Sequence, residues 1–456
     1  MKRLLTAAVV VAIWALASSG QAFGATLIVD DDGRASPPTN CGSNAAAPSS
    51  IEAAHEGSPG ADTVNVCPGT YTEQVSFESD DTGTTIRSLV VWAASIRYPA
   101  SGATNLADDK AIVHVNAATG IRILAFTITG PGPFNCDSLR YGVWVENGGF
   151  ATIQRNHITE IRDNDPFSLD PPFSGCQNGV GIQVGRTLTD GPTSGRATIT
   201  DNLIDRFQKN GMTIDNVGSS ALVERNRVQG IGPTDVIAQN GIQVSRGAVA
   251  TVTENRVQDH TYTLAPAFSS SGILLFEAGT GVRVSLNRVV RSDDNIVAFT
   301  TSGALIRRNT LLDSTFFDGI YMGSDTSNNR IEENFLRNNA EHDCHDDSVG
   351  PNNPPALVAN LWINNDGITE NRPGLCQPRE DECPDDDEDN DGLTDDRELL
   401  LLTLLGNPDS DLDGIKDGND DSNGNGEDDE DEDDDDDPCP NDSDHDGEDD
   451  EDEDDD

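Results

Sequence analysis

The chain has 456 residues, of which 81 are Asp or Glu and 29 are Lys or Arg, so its formal net charge is −52. Such acidity disfavours binding to nucleic acid and to anionic membrane surfaces, both of which repel a negatively charged protein. The length is sufficient for a continuous aliphatic core, and an aromatic content of only 5% indicates that Val, Ile and Leu supply it.

The first 24 residues have the pattern of a secretory signal peptide. Met1, Lys2 and Arg3 form a positive start, and an apolar stretch follows from Leu4 to Ala17. Small residues then offer cleavage sites, and we expect the cut just before Ala25. The apolar stretch is short for a membrane anchor, and we find no second stretch that is long enough to span a bilayer. These features predict an exported, soluble mature protein.

Eight cysteines are distributed along the chain, and an even number in an exported protein indicates disulfides. Pairing in sequence order would join Cys41 to Cys67, Cys136 to Cys176, Cys344 to Cys376 and Cys383 to Cys439. We favour the first three pairs, because each pair lies in or brackets one loop-rich unit. Zinc ligation is the alternative, but the CxxC spacing common in zinc sites is missing from the sequence.

The N-terminal part of the mature chain predicts short strands and one helix. The helix is predicted over Ser50–His55, with Ser49 or Ser50 as its N-cap. Residues 76–120 are less regular, whereas the alternating stretch Ile121–Thr129 predicts a single strand. The other predicted strands are Thr26–Asp31, Thr63–Val66, Thr85–Val91 and Ala111–Val115.

From about Tyr141 to Leu336 one short pattern keeps returning, with neighbouring Asn positions 22 to 25 residues apart where no longer loop intervenes, and this internal repeat predicts a solenoid. One half of the repeat reads ATIxxN and the other half reads NGIxV, and both alternate with the period of a strand. The repeated Asn residues are Asn156, Asn202, Asn226, Asn255, Asn287, Asn309 and Asn334. We expect each Asn to adopt the left-handed backbone conformation and turn the chain, and their amides to hydrogen-bond along a ladder.

This repeat resembles the right-handed parallel β-helix of the pectin-lyase-like superfamily, over most of residues 25–376. The resemblance implies an all-β solenoid with an N-terminal helical cap, because the order of strand, helix and DTVNVCPGTYTEQV is similar to the start of many exported β-helix proteins. Long insertions at Gly130–Leu139, Ile161–Gln177 and Thr187–Gly195 are expected beside a groove in which an extended polymer would lie.

Four residues are candidates for catalysis: Asp293, Asp294, Asp318 and Arg291. Alignment of the coils on NGIxV places Asp294 and Asp318 at one position of neighbouring coils, about 5 Å apart. Two carboxylates at that separation can form the acid and nucleophile of a retaining glycosidase, or can share a calcium ion. The competing interpretation is that Asp and Asn simply suit the turn before each strand. The full catalytic motifs of the lyases and glycosidases of this fold are not found in the sequence.

Further titratable residues have two interpretations. The cluster Glu341–Asp347 contains two His and four acidic residues, which is typical of a metal site, but it also matches the disulfide-tied final coil of exported β-helices. We favour the final coil. Asp205, Arg206 and His260 are isolated candidates.

After Cys376 the composition changes, and roughly half of the acidic residues fall in this tail. Four stretches repeat D-x-[DN]-x-[DN]-G with an acid at the twelfth place, the spacing with which oxygen ligands surround Ca²⁺. The tight succession from Cys383 to Glu453 resembles thrombospondin type 3 repeats, whereas an EF-hand would require paired helices. The expected ligands are Asp387, Asp389, Asp391, Asp395, Glu398, Asp409, Asp411, Asp413, Asp417, Asp420, Asp421, Asn423, Asn425, Asp429, Glu432, Asp442, Asp444, Asp446, Asp450 and Glu453.

Three functions compete on this evidence. The first is an exported calcium-binding β-helix protein that binds polysaccharide or a cell surface. The second is a polysaccharide lyase or glycosidase that acts in the loop-flanked groove. The third is a structural repeat protein stiffened by calcium. We favour the first, with residues 1–24 as signal peptide, 25–376 as β-helix and 377–456 as calcium-binding tail.

Overall fold

The computed structural model describes residues 26–56, 63–99, 110–133, 136, 138–163, 173, 175–187, 191–264, 268–377, 415–416 and 419. The predicted signal peptide and almost all of the acidic tail, with its calcium loops, lie outside these residues. None of the helices in the described part is long and apolar enough to cross a membrane.

The described chain contains 32 strands, one α-helix and one 3₁₀ helix. The α-helix α1 is Ile51–Glu56, and the 3₁₀ helix is Ser79–Asp81. Strands β1 to β9 are Thr26–Val29, Thr63–Val66, Gly69–Thr72, Val75–Phe77, Thr85–Ser88, Ala94–Arg97, Ala111–Asn116, Thr119–Leu124 and Thr127–Thr129. Strands β10 to β21 are Tyr141–Glu146, Phe150–Gln154, His157–Thr159, Val180–Val184, Arg196–Thr200, Leu203–Asp205, Asn210–Asp215, Ser220–Glu224, Arg227–Gln229, Asn240–Ser245, Val249–Thr253 and Arg256–His260. Strands β22 to β32 are Ser271–Phe276, Arg283–Ser285, Arg288–Ser292, Asp294–Phe299, Leu305–Arg307, Thr310–Leu312, Ile320–Met322, Arg330–Glu332, Phe335–Arg337, Cys344–Asp346 and Leu361–Ile363.

These strands form three parallel sheets that wind along the chain as a β-helix solenoid. Sheet 1 has twelve strands in the order β1-β2-β5-β8-β11-β14-β17-β20-β23-β26-β29-β32. Sheet 2 runs from β4 through β7, β10, β13, β16, β19, β22, β25 and β28 to β31, and sheet 3 runs from β3 to β30. Each regular coil therefore contributes one strand to each of the three sheets, which is one strand more than the two halves of the repeat indicated.

The core is a stack of aliphatic side chains, one above another on successive coils. In sheet 1, for example, Ile153 pairs with Ile199, Ile199 pairs with Val223, and Val223 pairs with Val252. All four side chains are fully buried. Because each coil places its apolar residues at the same point, every side chain packs against its equivalents in the two neighbouring coils. The prediction of an all-β solenoid with an aliphatic core is confirmed.

Several predicted elements have different bounds in the structure. The strand predicted over Ile121–Thr129 is two strands, because the chain bends at Ala125, which has a φ of +66°. Helix α1 begins at Ile51, and the Ser50 hydroxyl accepts a hydrogen bond from the Ala53 amide, as expected of an N-cap. The Glu73 carboxylate also accepts hydrogen bonds from the first two amides of the helix. The apolar face of the helix, with Ile51 and Ala54, is buried in the core.

The predicted asparagine ladder is present, and it extends one coil further than the sequence indicated. Each ladder Asn donates from its backbone N–H and from its side-chain amide to the Oδ1 of the next Asn, from Asn156 as far as Asn365. The side-chain amide also donates to a backbone carbonyl of the preceding coil, as Asn255 does to Val223 at 3.0 Å. The ladder residues are almost completely buried.

The expectation that each Asn adopts the left-handed conformation is wrong. The residue before each Asn adopts it instead, with φ between 49° and 58°: Arg155, Asp201, Arg225, Glu254, Leu286, Arg308, Glu333 and Asn364. The turn is made by this preceding residue, and the Asn side chain then satisfies the backbone groups that the turn leaves without a strand partner.

The glycine of the NGIxV pattern is required by a close approach of neighbouring coils. A Cβ on Gly241 would lie 2.6 Å from the carbonyl oxygen of Gly272, and a Cβ on Gly211 would lie 2.6 Å from that of Gly241. A side chain at this place would push adjacent backbones apart, which explains why the glycine returns from coil to coil.

Two of the predicted disulfides are formed, Cys41–Cys67 and Cys136–Cys176. The third predicted pair, Cys344 and Cys376, is present as two buried free thiols, so this prediction is not met in the structure. The two residues nevertheless lie close together, because the Cys344 backbone N–H and the Cys376 thiol both donate to the Thr369 carbonyl, at 3.0 and 3.6 Å. Burial and, second, the neighbouring Cys376 raise the pKa of the Cys344 thiol. The cysteines of the fourth pair, Cys383 and Cys439, lie outside the described residues.

Candidate functional site

The outer face of sheet 2 carries a continuous line of side chains, which we call the outer row. Strand register places its members directly above one another, one on each of nine successive strands: His114, Trp144, Gln183, Thr213, Gln243, Leu274, Val297, Tyr321 and His345. The flanking positions on each strand face the core, because side chains alternate along a strand. Eight steps of about 4.8 Å give the outer row a length of about 38 Å.

At its N-terminal end the outer row is aromatic and closed. Trp144 stacks on His114 with ring centroids 5.0 Å apart, and the Arg186 guanidinium lies over the indole at 5.4 Å. Trp144 is only 4% exposed, and its indole N–H has no hydrogen-bond partner among the described residues.

In the middle, the outer row lies beside a second line of polar side chains. Asn210, Asn240, Ser271 and Asp294 are in register with one another, as the sequence alignment predicted. The Asn240 amide donates to Asn210 at 3.1 Å, and the Asn210 amide donates to Gln243 of the outer row at 2.9 Å. These amide and hydroxyl groups can donate and accept hydrogen bonds along several coils.

Towards its C-terminal end the outer row is aromatic again, and the side chain of Phe299, two residues after the buried Val297, is accessible beside it. Phe299, which is 36% exposed, meets the edge of the Tyr321 ring at 5.6 Å. Tyr321 in turn meets His345 at 4.9 Å between ring centroids. This part of the face therefore offers half-exposed rings to solvent.

Asp294 and Asp318 lie on neighbouring coils at this end, as the sequence predicted. The backbone N–H of Asn295 donates to the backbone carbonyl of Asp318 at 3.1 Å. Ile296 and Ile320, each two residues after one of the aspartates, pair between the coils. Burial and, second, the negative charge of Asp318 raise the pKa of Asp294 to about 8. The Asp294 carboxyl group is therefore largely protonated at neutral pH.

The other two predicted catalytic residues are not brought to this pair. The Asp293 carboxylate accepts hydrogen bonds from the amides of Tyr262 and Ser270 at 2.9 and 2.8 Å, so it holds a turn together. Burial raises its pKa against the effect of these bonds. Arg291 is half exposed and pairs with Asp259, with Nε 2.8 Å from Oδ1. Asp293 lies in the bend between β24 and β25, whereas Asp294 is the first residue of β25.

Two histidines approach Asp318 from the next coil, and sequence reasoning did not connect them with it. His342 Nδ1 lies 3.4 Å from Asp318 Oδ1, and His345 Nδ1 lies 3.0 Å from Asp318 Oδ2. Burial lowers the pKa of His345, but the carboxylates of Asp318 and Asp347 outweigh this effect and raise it overall. The available signal was the 24-residue offset between coils, seen in the pairing of Ile320 with Cys344.

Asp343 and Asp346 of the Glu341–Asp347 cluster make hydrogen bonds within the last coils, although the disulfide of the favoured interpretation is not formed. The Asp343 carboxylate accepts hydrogen bonds from the backbone amides of Ile368 and Thr369. Asp346 accepts hydrogen bonds from the Trp362 indole at 2.8 Å and from the Asn360 amide at 3.0 Å. Alternation along the strand thus divides one cluster between the coil interior and the outer face of sheet 2.

Asp205, Arg206 and His260, the isolated candidates, each contact another residue of the fold. His157 Nε2 lies 3.0 Å from the Asp205 carboxylate, and Arg206 pairs with Glu160. His260 is completely buried against Phe207, and burial lowers its pKa to about 3. A shallow depression on the outer face of sheet 1, lined by residues such as Phe150, Thr198 and Leu222, has Arg196 as its single titratable lining residue.

Comparison with known proteins gives one family match. The family model described as right handed beta helix region matches residues 109–289 and 191–374, which together span more than half of the chain. None of the curated proteins matches the chain in sequence.

Similar solved structures include three carbohydrate-related proteins. The complex structure of XylC with xylose is 12% identical, with 75% of this chain and 70% of that chain covered and a TM-score of 0.47. The Azotobacter vinelandii mannuronan C-5 epimerase AlgE4 A-module is 13% identical, with 76% and 97% covered and a TM-score of 0.44. Pectate lyase Pel9A is 12% identical, with 78% and 83% covered and a TM-score of 0.39.

Proposed function

Because this chain belongs to the right handed beta helix family, we propose that its outer face of sheet 2 binds an extended polysaccharide, free or on a cell surface. The observation that carries this proposal is the outer row itself. From Gln243 to His345, where the outer row is accessible apart from the buried Val297, amide, aliphatic and aromatic side chains follow one line of about 19 Å, a length suited to a segment of a polymer. Sugars need hydroxyl-directed hydrogen bonds and flat apolar surfaces, and this line offers both.

The accessible half of the outer row is the part we assign to the polymer. Gln243 and Leu274 are partly exposed, and Phe299 and Tyr321 present half-exposed rings beside them. The closed end, where Arg186 covers Trp144, is assigned a supporting role.

We further propose that the protein is exported and that its tail binds calcium. Residues 1–24 serve as signal peptide, 25–376 as β-helix with α1 covering its first coil, and 377–456 as an acidic tail. The tail's regular D-x-[DN]-x-[DN]-G spacing, which resembles thrombospondin type 3 repeats, supports Ca²⁺ as its ligand. With Ca²⁺ bound, the tail would act as a stiff spacer between the solenoid and a surface.

A second candidate function is cleavage of the polysaccharide by a lyase or glycosidase mechanism. It is favoured by Asp294 and Asp318, which occupy neighbouring coils beside the accessible half of the outer row. Asp293 and Arg291 contribute little to this candidate, since both are engaged elsewhere. A purely structural, calcium-stiffened role is the third candidate.

One experiment separates the three. The purified mature protein is incubated with a panel of acidic and neutral polysaccharides, with calcium and with chelator, and both polymer retention and new chain ends are measured. Retention without new ends supports binding, new ends support an enzyme, and neither result supports the structural role. Gln243→Ala and Phe299→Ala should weaken retention, whereas Thr198→Ala on the outer face of sheet 1 should leave it unchanged.

A further inference from the structure

We propose that Asp318, His342 and His345 form a binding site for a divalent transition metal, with Zn²⁺ as the best fit. The three side chains come from two neighbouring coils and meet at the C-terminal end of the outer row. One donor atom of each lies within 4.8 Å of the other two.

The distances between these donors match those around a single ion. Two atoms that are each about 2.1 Å from one ion lie about 3.0 Å apart at a right angle and about 3.4 Å apart at the tetrahedral angle. His345 Nδ1 lies 3.0 Å from Asp318 Oδ2, and His342 Nδ1 lies 3.4 Å from Asp318 Oδ1. The two imidazole rings are close to perpendicular, with centroids 5.0 Å apart, so they do not stack and can both aim at one point.

Direct hydrogen bonding accounts for only part of these contacts, since Asp318 Oδ1 accepts a hydrogen bond from the backbone N–H of His342 at 3.1 Å. The Nδ1 atoms of His342 and His345 are both buried, and neither makes a hydrogen bond of acceptable geometry to any described residue. A nitrogen lone pair beside a carboxylate oxygen is repelled unless a proton or a cation lies between them. Two such nitrogens facing one carboxylate are therefore a second observation that points to a cation.

The surroundings of His345 are those of a metal ligand. Its Nε2 lies 3.2 Å from Asp347 Oδ1, and an ionised carboxylate can only accept, so Nε2 carries the proton. This leaves Nδ1 as the lone-pair donor that faces Asp318. Asp347 is itself oriented by the Tyr321 hydroxyl, which donates to its Oδ2 at 3.0 Å. Carboxylate–histidine–metal arrangements of this kind fix the tautomer and strengthen the ligand.

The set of donors selects the class of ion. Two imidazoles and one carboxylate suit Zn²⁺ and its first-row neighbours, whereas Ca²⁺ prefers six to eight oxygens. Three protein ligands leave at least one coordination position open, and His342 is 26% exposed on its side chain, so the ion is reachable from solvent. The site therefore differs in chemistry from the predicted calcium loops of the tail.

The test is a titration of the purified mature protein with Zn²⁺ by calorimetry, in excess Ca²⁺ so that oxygen-only sites are occupied. A parallel titration with Co²⁺ is followed by visible absorption, which reports imidazole ligation. We expect one tightly bound ion per chain, loss of that binding in His342→Gln and in His345→Gln, and a weakening of about 10- to 100-fold in Asp347→Asn. His157→Gln is the matched control, since His157 also pairs with a carboxylate but on another coil, and it should bind as the unchanged protein does.

Either of two results would overturn the proposal: absence of tight Zn²⁺ binding in excess Ca²⁺, or equal binding in the unchanged protein and in both histidine variants. Thermal unfolding of each metal-free variant shows whether it is folded, and the partly exposed His342 serves as the test position if His345→Gln does not fold. Because no polysaccharide is present in the titration, failure of the metal site and failure of the proposed function are distinguishable.

Discussion

The asparagine ladder makes a quantitative prediction for Asn255→Ala in the middle of the solenoid. The Asn255 side chain donates to Val223, Thr253 and Asn287 at 3.0, 2.8 and 2.9 Å, and accepts from the backbone and side-chain amides of Asn226, each at 3.0 Å. A buried hydrogen bond contributes about 1 kcal/mol net, so the loss of five partly shared bonds should lower the free energy of unfolding by about 3–5 kcal/mol.

Urea unfolding followed by circular dichroism measures this loss, and hydrogen exchange at the Asn226 amide locates it. Asn255→Asp keeps the shape and the acceptor but cannot donate, and it should be at least as destabilising at neutral pH because it buries a charge. Asn352→Ala is the matched control, since Asn352 is exposed and makes one side-chain bond, to Ala359. A loss for Asn255→Ala no larger than that of Asn352→Ala would refute the reasoning.

Three further predictions concern acid sensitivity, coil packing and calcium. His260 has a folded-state pKa of about 3 against an ordinary 6.5, so below pH 6.5 the unfolded state binds a proton that the folded state does not, and stability falls. His260→Leu should reduce the stability lost between pH 7 and pH 5 by about 2 kcal/mol, and an unchanged pH profile would contradict the buried neutral imidazole. Gly241→Ala should cost about 1–3 kcal/mol in urea unfolding, because its Cβ would meet the Gly272 carbonyl at 2.6 Å, whereas Gly42→Ala meets nothing nearer than 3.7 Å and should be neutral. Calcium should raise the protease resistance of Cys383–Glu453, and the absence of any change on adding calcium or chelator would rule out the calcium loops.

Most of the fold could be predicted from the sequence because the same repeat recurs many times along the chain. Each repeat of apolar alternation and Asn is weak alone, but their regular return predicts a solenoid with two strands in every coil, and only the short third strand of each coil was missed. The point at which each turn is made was harder to predict. Arg, Glu or Leu precedes six of the eight ladder Asn residues, and these residue types give no sign of a left-handed backbone, which the tertiary hydrogen bonds impose.

The candidate site could be predicted only in part, for a related reason. Asp294 and Asp318 were found because both precede strands that the NGIxV pattern aligns. The two histidines were found only as members of an undivided cluster, since alternation at an irregular final coil does not reveal which residues face out. Their approach to Asp318 depends on a register 24 residues away along the chain, which local patterns do not specify.

The residues that make the left-handed turns also favour the pairing of each coil with its correct neighbour. Along the solenoid they are Arg155, Asp201, Arg225, Glu254, Leu286, Arg308, Glu333 and Asn364, so positive and negative charges alternate except at Leu286 and at the final Asn364. Arg225 reaches Asp201 at 3.0 Å and Glu254 at 3.7 Å, and Arg308 reaches Glu333 at 2.9 Å. Each exposed pair contributes little on its own. If one coil were skipped during folding, however, Asp201 would stack against Glu254, and like charges on adjacent strands are destabilising. A column of turns thus distinguishes the correct neighbour from the next but one, a distinction that the nearly identical apolar layers of the core cannot make.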